Sequence, residues 1–379
     1  MSRGMGANSK YYIFGKVVEV CVDKLLTKHQ VDELFEPISL YPRANKGEVS
    51  DVVVNFIVGP IKQAVLAKNP SIHSEIQNGF IQHQQKYSVG IEIVEGRIIF
   101  SIHLQPIAGK VKSYLSRLYS MDFALITSRL SQVFFEQVMV PSIYFCDNQF
   151  LVHSSCILNS RSQAILLGGT GGVGKTSLEI ELCQNRGYKF MADDISVVDS
   201  NAFVYPNLAF PKIYGYNMVG NPKLYKRVME GRSLQDRLAF KLKKTLFGPA
   251  SARRKVSPFK IFGGVEPNKA KIEKYIILVK ENRTDITLEP INYSIAVKAT
   301  LSIMQTEYSA FNNHIFWHEF YRNAKGEETV ISVDSVMAKW KELASNVFKS
   351  VNCFMLYIPL HIEHKQFIKE ACDLINQAD

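Results

Sequence analysis

Residues 164 to 176 read Ala164-Ile165-Leu166-Leu167-Gly168-Gly169-Thr170-Gly171-Gly172-Val173-Gly174-Lys175-Thr176, an apolar strand running into Gly-x4-Gly-Lys-Thr. This is the pattern of a phosphate-binding (P-)loop, in which glycines let backbone N–H groups turn inward as an anion nest. Lys175 is expected to reach the β and γ phosphates of a nucleoside triphosphate and Thr176 to offer its hydroxyl to Mg²⁺. The helix starting there adds its positive N-terminal end. The expected nucleotide-binding set is Gly169, Thr170, Gly171, Gly172, Val173, Gly174, Lys175, Thr176 and Ser177. The context agrees: Ala164 to Leu167 read as a strand, and Ser177 to Cys183 as a helix ending near Gly187.

A chain of 379 residues is long enough for two domains and a large core. A hydrophobic content of 46% with 21% charged residues is that of an ordinary globular protein. No apolar run is long enough to span a bilayer, and the N-terminal residues lack the apolar core of a signal peptide, so a cytoplasmic location is expected. The six cysteines, Cys21, Cys146, Cys156, Cys183, Cys353 and Cys372, form no close pair and read as reduced, mostly buried thiols.

The first 120 or so residues read as strand-rich, with strands over Tyr11 to Val22, Val49 to Val58 and Tyr87 to Ile107, the last folded at Glu95-Gly96. Val111 to Val138 carries helical spacing, ended by Pro141. Strands are then expected at Ile143-Tyr144-Phe145, Phe150 to His153, Tyr188 to Val198, Tyr275 to Val279 and Phe354 to Ile358, with a final helix from about His364 to Gln377. No internal repeat or low-complexity tract is visible.

Asp193 and Asp194 follow Lys175 at the distance needed for one helix and a return strand. Strand neighbours point to opposite faces, so both carboxylates serve one site only if the strand ends there. One would then hold Mg²⁺ while the other accepts a proton from an attacking hydroxyl; the alternative is that one caps a turn. His153, on an apolar strand, is by itself as well explained as a core histidine.

His153-Ser154-Ser155, the loop, and Gly187-Tyr188-Lys189-Phe190-Met191-Ala192-Asp193-Asp194 together resemble the HPr kinase/phosphorylase group of the phosphoenolpyruvate carboxykinase-like kinases. The resemblance is specific over about 143 to 200 and looser beyond. The strand-rich first part resembles HPr kinase-related proteins of bacterial biosynthetic clusters. The resemblance implies an α/β (α+β) chain: a strand-rich N-terminal domain over 1–125 and a P-loop kinase domain with a mixed sheet over 126–379. It implies ATP and Mg²⁺, Lys175 on the phosphates, Thr176 with Asp194 on the metal, Asp193 as the base and His153 at the edge of the site. The family's second signature, built on Glu-x-Arg-Gly, is absent. That region reads Tyr205-Pro206-Asn207-Leu208-Ala209-Phe210-Pro211-Lys212-Ile213-Tyr214-Gly215-Tyr216, which points to a relative with a different acceptor.

The net charge of +10 is concentrated. Residues 223–260 hold twelve basic residues against Glu230 and Asp236, a net +10 that leaves the rest of the chain neutral. Ser233 with Asp236 forms a capping box, Leu234, Leu238, Leu242 and Leu246 recur every fourth residue, and Gly248-Pro249 stops the pattern, predicting a basic amphipathic helix over 234–247. Such a segment suits an acidic protein or peptide, a phosphorylated or lipid-linked sugar, or a membrane surface, or is simply a solvated face over a small apolar seam. Arg253, Arg254 or Lys255 is a candidate for the cation that stabilises a transferring phosphoryl group. Nucleic acid is disfavoured, since no reading-head motif is present. His314-x3-His318 has metal-ligand spacing but no third ligand, and reads better as a buried aromatic helix end around Phe316 and Trp317.

The expected function is an ATP-dependent kinase acting on a hydroxyl, first a serine of a protein or peptide. The alternatives are a small-molecule (sugar or glycan-precursor) kinase and a nucleotide-binding regulator without turnover. Acceptor, donor preference, phosphorylase activity and homo-oligomer formation are not legible.

Overall fold

The computed structural model describes residues 5–69, 72–105 and 129–377, a mixed α/β protein dividing into two compact units. One comprises Met1–Asp147 with Glu307–Ala338, the other Asn148–Thr306 with Lys339–Asp379. The boundary expected at 125/126 lies outside the described residues. The first unit includes a distant helical segment that local sequence patterns do not reveal.

The first unit is built on an eight-stranded mixed sheet in the order β1-β2-β3-β8-β7-β6-β5-β4. Its strands are β1 (Met5–Ile13), β2 (Lys16–Asp23), β3 (Val52–Val58), β4 (Ala67–Asn69), β5 (His73–Ile76), β6 (Gly79–His83), β7 (Tyr87–Val94) and β8 (Arg97–Leu104). The expected hairpin is present: Glu95 and Gly96 take φ of 50° and 76°, as a two-residue hairpin turn requires. The stretch expected as one strand over Tyr11 to Val22 is two, folded at Phe14-Gly15, both at positive φ. A buried Phe at φ 54° is a turn that residue preference hides.

The helical segment from Leu130 runs through Pro141 to Phe145 instead of ending at the proline. Residues Phe135–Met139 adopt a π turn, Val140–Ser142 an α turn, and Ile143–Phe145, expected as a strand, a 3₁₀ turn. The wider π turn changes the hydrogen-bond register just where Pro141 has no N–H to give. The earlier part of that expected helix lies outside the described residues.

The helix Ser309–Lys325 lays His314 and His318 on one buried face against β5. There Glu75 binds His318 Nδ1 at 2.7 Å and Arg322 Nε at 2.9 Å, with His73 Nε2 at 3.4 Å. Burial pushes the Glu75 carboxyl up, but His318, His73 and Arg322 together bring it down to about 2. Burial, then the neighbouring His73, lowers His314 to about 4. The histidine pair is thus part of a buried ion-pair network. Among the described residues no group of three or more His, Cys, Asp or Glu is arranged to hold a metal.

The second unit carries β9 (Gln149–Val152), β10 (Ser154–Leu158), β11 (Ala164–Gly168), β12 (Lys189–Ala192), β13 (Ser196–Asp199), β14 (Phe203–Tyr205), β17 (Ala270–Glu281), β18 (Thr287–Pro290) and β19 (Asn352–Pro359). They form a nine-stranded mixed sheet in which β17 runs parallel to both β11 and β19. β11 is buried along its whole length and β17 from Tyr275 to Leu278, which explains their unbroken apolar runs. A separate ribbon pairs β15 (Lys212–Tyr214) with β16 (Arg253–Lys255). The residues between them form the helices Pro222–Met229 and Leu234–Phe247, the latter with the expected bounds. All six cysteine side chains are buried as thiols, and among the described residues no helix is long and apolar enough to cross a membrane.

Candidate functional site

The phosphate-loop motif stands at the C-terminal end of β11 and opens directly into the helix Lys175–Asn185. Two of its glycines are dictated by close approach. Gly169, at φ 131°, would place a Cβ 2.7 Å from the carbonyl oxygen of Leu278 on β17. Gly174, at φ 109°, would place one 2.5 Å from the ring of Phe367, on the C-terminal helix His364–Gln377. That helix is docked on the loop helix by Arg186 to Asp373 at 2.8 Å and by Tyr188 Oη to Asn376 at 2.9 Å. The loop is therefore clamped between β17 and the C-terminal helix. Lys175 is buried and its ammonium bridges the carbonyls of Gly169 and Thr170 at 2.7 and 3.1 Å, holding the two ends of the loop together.

β12 ends at Ala192, which is the condition under which both aspartates can face one site. The Ile195 amide donates to the Asp193 carbonyl at 2.9 Å, closing a three-residue turn around Asp194 at φ 71°. A positive φ is tolerable for Asp, and strain of this kind is held in place only by surrounding structure.

The side chains then separate. Asp193 turns inward, where its Oδ1 accepts from Ser155 Oγ and from Thr176 Oγ1, each at 3.1 Å. Asp194 turns outward, keeping 65% of its side chain open to water, and its Oδ1 lies 3.3 Å from His153 Nε2. His153 itself is buried, in the link between β9 and β10. The resemblance implies Thr176 with Asp194; the contacts join Thr176 with Asp193 and His153 with Asp194.

The two carboxyls are electrostatically unlike. Burial, then the charge of Asp194, raises Asp193 above the usual range, against hydrogen bonds from Ser155 and Thr176 and the charge of Lys175. Burial also acts to raise Asp194, but the hydrogen bond and charge of His153, with Lys212 and Lys175, outweigh it and bring it down to about 2. Asp194 is thus a firmly ionised, accessible carboxylate, and Asp193 a sheltered one beside a hydroxyl.

Several side chains at the site carry no motif. Glu179, one turn into the loop helix, is fully buried, and neither carboxyl oxygen has a hydrogen bond of normal geometry among the described residues. Burial first, and then the charge of Asp193, pushes it well above the usual carboxyl range. Lys212 on β15 lends its charge to Asp194. Tyr216 is raised to about 12 by burial and then by Tyr214, Asp193 and Asp194. Asn217 donates to Ser177 Oγ at 2.8 Å, tying this strand-and-turn segment to the start of the loop helix. These last three lie in or beside the stretch Tyr205 to Tyr216.

The expected cations divide differently. Arg254 is buried, pairs with Asp236 at 2.8 Å and lies 5.0 Å over the Phe240 ring, so it secures the basic helix. Arg253 donates to Tyr214 Oη at 2.9 Å. Lys255 stands opposite Lys212 in the ribbon, and its carbonyl accepts from Arg232 at 2.6 Å. The expected capping box is only half formed: Ser233 caps the Asp236 amide, while the Asp236 carboxylate serves Arg232 and Arg254.

No protein-family model matches the chain, and no curated protein matches it. Among solved structures it is similar to the Hpr(Ser) kinase/phosphatase from Coxiella burnetii, with 13% identity over 60% of this chain and 95% of that one, at a TM-score of 0.25. A likeness at that level carries no residue assignment.

Proposed function

We propose that this chain is an ATP-dependent, Mg²⁺-requiring kinase that transfers the γ-phosphoryl group to a hydroxyl. The observation that carries the reading is the meeting of the loop's Lys175 and Thr176 with two carboxylates held in different states, one on the Thr176 hydroxyl and one open to water.

The donor set fits the metal: a hydroxyl and a carboxylate are hard oxygen ligands of the kind Mg²⁺ takes alongside phosphate oxygens. Thr176 and Asp193 would hold it, a partnership different from the one the resemblance implied, and it would supply charge neutralisation at the phosphates. The loop amides at the start of the Lys175–Asn185 helix bind the phosphate chain, with Lys175 adding a point charge. Asp194 accepts the proton of the acceptor hydroxyl, whose oxygen forms the new bond to the γ phosphorus as the bond to the β–γ bridging oxygen breaks and ADP leaves. His153 fixes the orientation of Asp194, and Lys212 offsets charge at the open side.

The favoured acceptor is a serine of a protein or peptide; a sugar or glycan precursor is the second reading. Incubation with γ-labelled ATP and both classes of acceptor separates them by where the label appears. If Asp194→Asn and Lys175→Ala each left ATP consumption at the wild-type rate, the kinase reading would fall.

A further inference from the structure

The helix Leu234–Phe247 turns its apolar stripe away from the protein. It is held on one side, where Phe240 is 1% exposed beneath Arg254. At about 100° per residue, Phe240 lies about 240° around the helix from Leu234, while Leu238, Leu242 and Leu246 lie at about 40, 80 and 120°. The centre of the leucine stripe is therefore opposite the one buried residue. The four leucines are 72, 57, 51 and 62% exposed, in a stripe about 18 Å long. Arg237, Lys241 and Lys244 flank it on one side and Lys243 on the other, within a segment that carries the chain's whole net charge of +10.

We propose that this face docks on an anionic phospholipid surface, with the helix lying in the plane of the interface. The leucines enter the boundary between headgroups and acyl chains, and the basic flanks meet lipid phosphates. Charge selects this occupant. A second copy would bring two segments of net +10 together and repel, whereas an anionic bilayer is complementary to the flanks and accepts the leucines without a matching groove. The helix is too short and too charged to cross the membrane.

The helix is also tied to the ribbon that carries Lys212. The helix is pinned through Asp236 to Arg254 on β16, β16 pairs with β15, and Lys212 of β15 acts on Asp194.

The test is sedimentation of the full chain with vesicles of phosphatidylcholine alone or with added phosphatidylglycerol, without nucleotide, so that its result is independent of the kinase reading. The expected result is pelleting with anionic vesicles only, weakened by added salt. Arg237→Gln with Lys241→Gln should weaken it by about tenfold or more. Leu238→Gln with Leu242→Gln should abolish it while leaving the melting temperature unchanged, since both side chains are exposed. No pelleting with anionic vesicles would overturn the proposal. So would a dimer that the leucine variant dissolves, or binding confined to an acidic polypeptide such as polyglutamate.

Discussion

Replacing Gly174 by alanine tests whether the loop is clamped as the structure requires. At φ 109° any side chain is strained, by about 1–2 kcal/mol. The new Cβ would also stand 2.5 and 2.8 Å from two carbons of the Phe367 ring. That ring is buried and cannot swing into solvent, so the overpacking costs a further 1–3 kcal/mol or about that. The sum, about 2–5 kcal/mol, corresponds to a fall in melting temperature of roughly 4–20 °C for a unit of this size. Gly172→Ala is the internal control: its φ is 80°, but nothing lies within 4 Å of the new Cβ, so it bears the torsional cost alone. Phe367→Leu in the Gly174→Ala background should recover part of the loss, because only the steric component is relieved. Thermal melting read beside Mg-ATP titration separates folding from loop geometry; binding should fall further than stability predicts. Equal losses at Gly172 and Gly174, or no gain from Phe367→Leu, would refute the clamp.

Asp194→Asn removes the charge that helps hold Asp193 high, so the acid limb of Mg-dependent nucleotide binding should move to lower pH; an unmoved limb contradicts the coupling. For Glu179 the folded value is raised above the unfolded one, so its stabilisation is full below about pH 4.5 and is lost as pH rises towards the folded value. Glu179→Gln, neutral at every pH, should therefore gain on the wild type in melting temperature from about pH 4.5 upward, whereas a parallel offset at all pH values would show that Glu179 is ionised in the fold. Arg254→Ala breaks a half-buried pair and a ring contact, so segment 232–255 should be cleaved faster by trypsin with little change in global melting temperature; unchanged cleavage would show that Arg254 does not secure the helix.

The loop, the strand before it, the C-terminal helix and the basic helix were legible because each is written in local sequence. A glycine-rich motif, unbroken apolar runs and leucines at four-residue spacing are patterns a few residues long. The end of β12 at the aspartate pair was legible only as a condition, since a turn around Asp194 at positive φ leaves no residue-type signature. Pro141 misled because the preceding π turn is set by packing and not by composition. Glu179 was hidden for a related reason: a charged residue four after Lys175 reads as helix surface until tertiary structure buries it. Lys212, Tyr216 and Asn217 reach the site through a ribbon whose partner strand is some forty residues away in sequence, a separation no periodicity reports.

The division of labour between the two aspartates is the centre of the account, and paired titrations of Asp193→Asn and Asp194→Asn with ATP, with and without Mg²⁺, alongside γ-phosphoryl transfer, test it most directly. Asp193→Asn should lose the Mg²⁺-dependent part of nucleotide binding; Asp194→Asn should keep it and lose transfer. The opposite pattern, metal dependence lost with Asp194 and retained without Asp193, would contradict it.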